Sequence, residues 1–218
     1  VESAAGVASD RVALIGGSGV DLDSCPTLPE PAGNLRVAFA ARLLTDKGVR
    51  EFVEAAGIVR RERPDVDFAV AGSPDPGNPA TVTEAWIRAA KDRGDAEFLG
   101  QVADVPGLFS TSHIVALPSY REGFPKTLME AAACGRPAIA TDVPGCRDAV
   151  IDGLTGLLVP ARDADALARA VLKLAEDPEL RKRMGAAARE HAERAFDVHA
   201  INRRQLELYT ELLGGEAR

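Results

Sequence analysis

Short apolar runs alternate along this chain with longer stretches of helical period. The runs predict strands over 12–15, 35–41, 68–71, 96–99, 114–117, 138–141 and 156–159. Between them, apolar positions recurring every three to four residues predict helices over 49–63, 79–93, 105–110 and 127–134. Strands regularly separated by helices belong to a parallel sheet, so the expected fold is a doubly wound, Rossmann-like α/β sheet. Phe68, Ala69, Val70, Ala71 and Gly72 carry almost no polarity, as a strand covered on both faces should. After Pro160 the pattern turns to helix alone. Ala164, Leu167, Ala168, Val171 and Leu172 share one face behind Asp163 as N-cap. Asp177 and Pro178 punctuate the chain before helices over 179–195 and 198–213, the last stopped by Gly214 and Gly215. The Pro- and Gly-rich stretch 73–79 reads as a loop inside one domain spanning 1–218.

Composition narrows the classes. The 218 residues, 46% hydrophobic and 27% charged, suffice for a buried core. No run reaches the ~18 apolar residues of a membrane span, and residues 1–10 lack the basic-then-apolar order of a signal peptide, so a cytoplasmic location is expected. A net charge of -7 argues against a nucleic-acid groove. Cys25, Cys134 and Cys146 are odd in number and widely spaced, which suggests neither a disulfide frame nor a zinc knuckle. With only His113, His191 and His199, a histidine triad or histidine metal site has little material. His113 reads as a packing residue, Trp86 as core, and the Arg181, Lys182, Arg183 cluster as a solvated helix face rather than a patch for anionic lipid.

In a doubly wound sheet the ligand lies at the carboxyl ends of the strands, which directs attention to the loops after Ile15, Ala41, Ala71, Leu99 and Leu117. Gly16 to Asp21 form a glycine turn, but Leu22 stands where a dinucleotide fingerprint starting at Gly17 needs glycine. Arg42 and Lys47 place two cations between a strand end and a helix start, where they oppose the helix dipole unless an anion is bound; the bland alternative is a solvated loop with Asp46 neutralising one of them. From Tyr120 to Glu130 the chain offers Gly123 for close backbone approach and a helix start near Pro125 or Lys126. Glu122 and Glu130, eight positions apart, are two carboxylates able to accept hydrogen bonds from vicinal hydroxyls. Taken alone, they read sooner as an ordinary helix charge at Glu130 and a helix N-terminal acid at Glu122.

Three stretches in this order, GSGVD at 17–21, ARLLTDKG at 41–48 and PSYREGFPKTLMEAAACGRPAIATDVPGCRD at 118–148, resemble the C-terminal half of a family-4, retaining, GT-B glycosyltransferase of group 1, most closely the bacterial members that build capsule, O-antigen and lipid-linked glycans. The resemblance covers nearly the whole chain. It implies the donor-binding half of a two-domain enzyme, with an N-terminal acceptor domain missing, so that the chain alone binds donor without turnover.

Residue by residue, the resemblance implies Arg42 and Lys47 on the donor diphosphate, Glu122 on the hydroxyls of the transferred sugar and Glu130 on the ribose. Gly123 and Phe124 would offer backbone amides to sugar and phosphate, Thr127 and Leu128 would line phosphate and ribose, Gly17 would belong to the glycine turn at the site, and Gln101 and Val102, with Gly100, would face the base. No cofactor or metal is implied beyond the donor, a UDP-sugar or other nucleoside diphosphate sugar; the Asp21, Leu22, Asp23 triplet belongs to the turn. The acceptor would be a glycan or a polyprenyl-diphosphate-linked glycan, with peripheral contact to the inner membrane in the full-length protein. Rival readings are a nucleotide-sugar 2-epimerase-like GT-B protein, against which alone the 42–48 and 122–130 motifs speak, and a noncatalytic nucleotide-sugar-binding module, which they leave open. A dinucleotide oxidoreductase fails on the absent glycine and on Ala40, Ala41 and Arg42, where an acid should close the strand.

Overall fold

The computed structural model describes residues 12, 13 and 15–214. Six parallel strands, β1 (Leu35–Ala40), β2 (Val66–Ala71), β3 (Glu97–Gly100), β4 (Ile114–Leu117), β5 (Ala138–Thr141) and β6 (Gly156–Val159), form one sheet in the order β3-β2-β1-β4-β5-β6. Strand order reverses between β1 and β4. In a doubly wound sheet such a reversal opens a crevice at the carboxyl edge, here between the loops that follow Ala40 and Leu117.

Alternation along β1 assigns the two faces. Val37 and Phe39 pack with α1 (Val49–Glu62), α2 (Glu84–Arg93) and α6 (Ala164–Glu176), where Phe52 meets Phe39 and Phe68 at centroid distances of 5.4 Å. Ala38 and Ala40 face α3 (Val105–Ser110), α4 (Lys126–Ala133) and α7 (Pro178–Ala195) through Phe109, Met129, Ala188 and Ala192. The alanines on that face let α4 lie close to the sheet. Phe52, Phe109 and Met129 are fully buried, so truncating any of them removes both transfer energy and packing, about 2–5 kcal/mol each.

The N-cap expected at Asp163 forms, and Asp177, expected only as punctuation, caps the next helix. Asp163 accepts from the Ala166 N–H at 2.7 Å, and Asp177 does the same for Leu180 at 2.8 Å. Other expectations need correction. No strand forms at the described residues of 12–15: Val12 is exposed and Ile15 turns directly into the glycine segment, while Leu14 lies outside the described residues. The helix expected from Pro79 begins only at Glu84, because 80–82 pair with Leu43 and Thr45 instead and Thr83 caps the helix. A 3-10 turn at Thr45–Lys47 and a six-residue helix, α5 (Pro144–Ala149), escaped the periodicity, because neither holds the large apolar residues that mark the equally short α3.

Arg181 is also corrected. It is 6% exposed, not part of a solvated face, and is held by Glu30 at 2.5 Å and 2.9 Å and by the Leu174 carbonyl at 2.7 Å. It belongs to a set of buried donors that fasten residues 25–31 across the lower edge of the sheet. Arg136 donates to the Leu28 and Pro29 carbonyls, and Arg189 bridges the Cys25 and Ala133 carbonyls. His113 accepts from the Arg36 N–H at 3.0 Å through Nδ1, which leaves Nε2–H to donate to the Pro31 carbonyl at 3.1 Å. The three cysteines are buried and free. The last helix, α8 (Val198–Gly214), leaves Leu206, Tyr209, Leu212 and Leu213 exposed.

Candidate functional site

Two loops meet at the crevice, and glycine is what lets them meet. Gly48, at φ 74°, closes the 3-10 turn and starts α1; a Cβ there would run into the Pro118 carbonyl. The Tyr120 N–H then donates to the Asp46 carbonyl at 2.8 Å, joining the loop after β1 to the loop after β4. From below, the Thr141 hydroxyl donates to the Ser119 carbonyl, and α5 begins so close that a Cβ on Gly145 would strike the Gly123 carbonyl. The 3-10 turn and α5, both absent from the pattern reading, therefore set the two ends of this junction.

A cleft of about 400 Å³ opens at the carboxyl edge, lined by Arg42 after β1, Ser73 and Asp75 after β2, Gln101 and Val102 after β3, and Thr127 and Glu130 on α4. Larger hollows lie elsewhere, at the opposite edge of the sheet and between α1 and α2. Neither contains any residue singled out from the motifs, so size is a poor guide here. Within the cleft Thr127 Oγ1 donates to the Ala40 carbonyl at 3.0 Å, seating the first turn of α4 against the end of β1. No side chain caps α4; the Leu128 N–H closes back on the Pro125 carbonyl, and the N–H groups of Lys126 and Thr127 come too early for an intrahelical acceptor. Such a terminus favours an anion.

Each expected residue can now be placed. Arg42, Gln101, Val102, Thr127 and Glu130 share the cleft. Lys47 and Glu122 pair with each other at 2.7 Å beside it, both largely buried, at 20% and 10% side-chain exposure. Arg42 is likewise engaged, by Asp75 at 2.6 Å, and Glu130 by Lys126 at 3.3 Å. Gly123 is exposed on the 118–125 loop. Phe124 is half-buried and packs edge-on against Phe196 at 5.6 Å, and Gly17, at φ 73°, sits where a Cβ would touch the Phe124 ring. The GSGVD turn thus abuts the 118–125 loop and is tied behind by the Val20 N–H to the Phe196 carbonyl at 2.8 Å. Leu128 is a correction. Its side chain is 1% exposed in the core and its N–H is spent on Pro125, so it lines nothing. The Gly100 carbonyl already accepts from the Gly72 N–H at 2.7 Å, which leaves it one lone pair.

The Asp21 carboxylate is used within its own turn, accepting from the Ser24 hydroxyl at 2.6 Å and the Asp23 N–H at 3.1 Å; the first of these bonds holds its pKa below the usual carboxylate value. Among the described residues no three His, Cys, Asp or Glu side chains gather as metal ligands.

The motif reading passed over two features. Asp75 lies in the stretch 73–79, taken as loop alone; an acid beside glycine and prolines at a strand end was the available signal. Behind Lys47, Tyr120 donates to Glu51 at 2.5 Å while the Arg162 guanidinium lies 4.6 Å from its ring centroid. Burial and then the Glu51 carboxylate push the Tyr120 phenol up to about 12. Arg162 reaches that position from a backbone φ of 63°, which nothing in the local sequence announces.

Comparisons with known proteins agree with this layout. The chain is 32% identical over 177 residues to the N,N'-diacetylbacillosaminyl-diphospho-undecaprenol alpha-1,3-N-acetylgalactosaminyltransferase of Campylobacter jejuni, covering 81% of this chain and 45% of that enzyme. It is 35% identical over 169 residues to the D-inositol 3-phosphate glycosyltransferase of an Arthrobacter species, covering 75% and 39% respectively. The chain therefore spans less than half of either transferase. The crystal structure of Alr3699/HepE from Anabaena in complex with UDP superposes with a TM-score of 0.79 at 26% identity, over 88% of this chain and 56% of that one. The family model for group 1 glycosyl transferases matches residues 26–191, which include the whole sheet, the cleft and both motif loops from Arg42 to Glu130, and the chain accordingly belongs to the group 1 glycosyltransferases, with a GT-B Rossmann-like fold.

Proposed function

We propose that this chain is the donor-binding part of a retaining glycosyltransferase, holding a nucleoside diphosphate sugar, first of all a UDP-sugar, for transfer to a glycan or polyprenyl-diphosphate-linked acceptor carried by a separate domain at the cytoplasmic face of the membrane. One observation carries the reading: Arg42, Gln101, Val102, Thr127 and Glu130, from three separate segments, line a single cleft at the strand-order reversal. The UDP complex of the Anabaena relative and the lipid-diphosphate substrate in the name of the Campylobacter enzyme support the choice of donor and acceptor class.

The chemistry follows from the charges. A diphosphate in the cleft lies between the Arg42 guanidinium and the uncapped start of α4. Lys47, near the end of the same loop, turns to it once Glu122 exchanges the ammonium for hydroxyls of the donor sugar. Glu130 accepts from the ribose hydroxyls and the backbone at 101–102 meets the base. As the bond from the sugar's anomeric carbon to the phosphate oxygen breaks, negative charge grows on the diphosphate, and two cations and a helix terminus already in place stabilise it without reorganisation. The acceptor hydroxyl enters on the face the leaving group vacates and passes its proton to the departing phosphate oxygen, so the anomeric configuration is kept.

Calorimetric titration of the chain with UDP, GDP and ADP tests this. UDP is expected to bind tightest. Arg42→Ala and Lys47→Ala should each weaken it about tenfold or more, the scale of losing a hydrogen bond to a charged group, and Glu130→Ala should weaken it while sparing the fold. Unchanged UDP affinity in all three variants would remove the site.

A further inference from the structure

The loop after β2 is folded onto the loop after β1 along its length. Leu43 donates to the Ser73 carbonyl at 3.0 Å, Thr45 to Ala80 at 2.7 Å, and Val82 back to Leu43 at 2.9 Å, with Leu44 and Thr81 bridged antiparallel. At the start of this zipper Gly72, at φ 146°, lies so near that a Cβ would run into the Ala41 carbonyl. Asp75 is fastened within it: its N–H donates to Thr81 Oγ1 at 2.9 Å, and that hydroxyl donates to the Leu43 carbonyl at 3.4 Å. The backbone thus delivers the Asp75 carboxylate to Arg42, where Oδ2 accepts from Nη1 at 2.6 Å. The carboxylate is not behind the arginine. Both side chains line the cleft, so Asp75 occupies space and a cation that an entering phosphate also needs.

We infer that Asp75 is an internal competitor of the donor diphosphate for Arg42: it holds the guanidinium while the cleft is empty, yields it when the nucleotide enters, and takes it back as the product diphosphate leaves. This rests on the reading that Arg42 meets a diphosphate. The pair is part-exposed, with Arg42 at 62% and Asp75 at 33% side-chain exposure, so the competition is modest and reversible, fit for turnover rather than for shutting the site. An acid in the cleft also keeps Arg42 from gripping the product for long, because the exchange offers the guanidinium a partner before the diphosphate has gone.

Five proteins decide it, each titrated with UDP: the unaltered chain, Asp75→Asn, Asp75→Ser, Arg42→Ala and the Asp75→Asn, Arg42→Ala double variant. Asp75→Asn keeps shape and removes charge, and should tighten UDP about three- to fivefold, the scale of a part-exposed ion pair. In the Arg42→Ala background the same change should gain less than about twofold. Asp75→Ser, lacking any carboxylate, should match Asp75→Asn, and melting curves of both establish that the loop still folds. Weaker or equal binding by Asp75→Asn overturns the inference and makes Asp75 a support for Arg42 or a bystander. A gain undiminished without Arg42 overturns it too, leaving only general repulsion. If instead Arg42→Ala leaves UDP affinity as it was, the failure lies with the donor site itself.

Discussion

The charged residues in and beside this cleft are paired with one another: Arg42 with Asp75, Lys47 with Glu122 and Glu130 with Lys126, so a ligand held by these side chains would bind by exchange of partners. Motif spacing could name Arg42, Lys47, Glu122 and Glu130, because each stands beside a strand end or helix start. It could not say that two of them pair with each other, since 75 positions separate them. His113 illustrates the residue scale away from the cleft. Burial holds its pKa below 6.5, against the pull of Glu30 and with the help of Arg181 and Arg136. A histidine neutral in the fold and protonated on unfolding contributes stability that is full above pH 6.5 and declines as the pH falls through that value toward the lower folded pKa. His191, also shifted down by burial, acts in the same sense. Urea midpoints should therefore drop between pH 7.5 and 5.5, and His113→Asn should flatten that slope without abolishing it; an unaltered slope would mean His113 does not titrate in the unfolding reaction.

Elements here are positioned by close approaches of backbone, and these can be weighed. Gly48 and Gly153 share the same φ of 74°, but a Cβ on Gly153 meets open space whereas one on Gly48 meets the Pro118 carbonyl. Gly153→Ala should cost only the left-handed backbone term, about 1–2 kcal/mol. Gly48→Ala should cost clearly more and should also weaken UDP, because it forces the Lys47 loop away from the 118–125 loop. Chemical denaturation of the two variants side by side reads the difference; equal losses would deny the close approach any part in stability. The longer elements were legible from periodicity because their apolar stripes are long enough to repeat, as in α1 and α6. The 3-10 turn at Thr45–Lys47 and α5 were not, since neither holds a large apolar residue to mark a face and their conformation comes from what they touch.

At the scale of the molecule, residues 25–31 run across the base of the sheet and are held by the long side chains of Arg136, Arg181 and Arg189, each reaching from an element more than a hundred positions away. The Glu30–Arg181 pair is the best enclosed, with 19% and 7% side-chain exposure. Burial raises the Glu30 pKa, but the Arg181 hydrogen bonds outweigh it and hold the carboxyl below its ordinary value. Arg181→Ala should therefore destabilise the whole domain by about 3 kcal/mol, since it strands a largely enclosed carboxylate. Removing both charges together, as Glu30→Gln with Arg181→Met, should recover most of that loss; a double variant as unstable as the single one would show that packing of the arginine, not its charge, secures the segment.

Alternation of apolar runs and helical stripes was enough, read along the chain, for the parallel sheet, all six of its strands to within two residues at their start, and the helices that cover it, because each strand and each long helix carries its own pattern of burial. The sequence also contained the family's motifs in order, and with them Arg42, Gln101, Val102, Thr127 and Glu130 of the residues that line the cleft. The partners of those residues were decided only when the chain closed on itself. Whether Arg42 faces Asp75, whether Leu128 points to a ligand or into the core, and whether Arg181 meets water or Glu30 all depend on distances between segments remote in sequence, and no local period encodes such a distance.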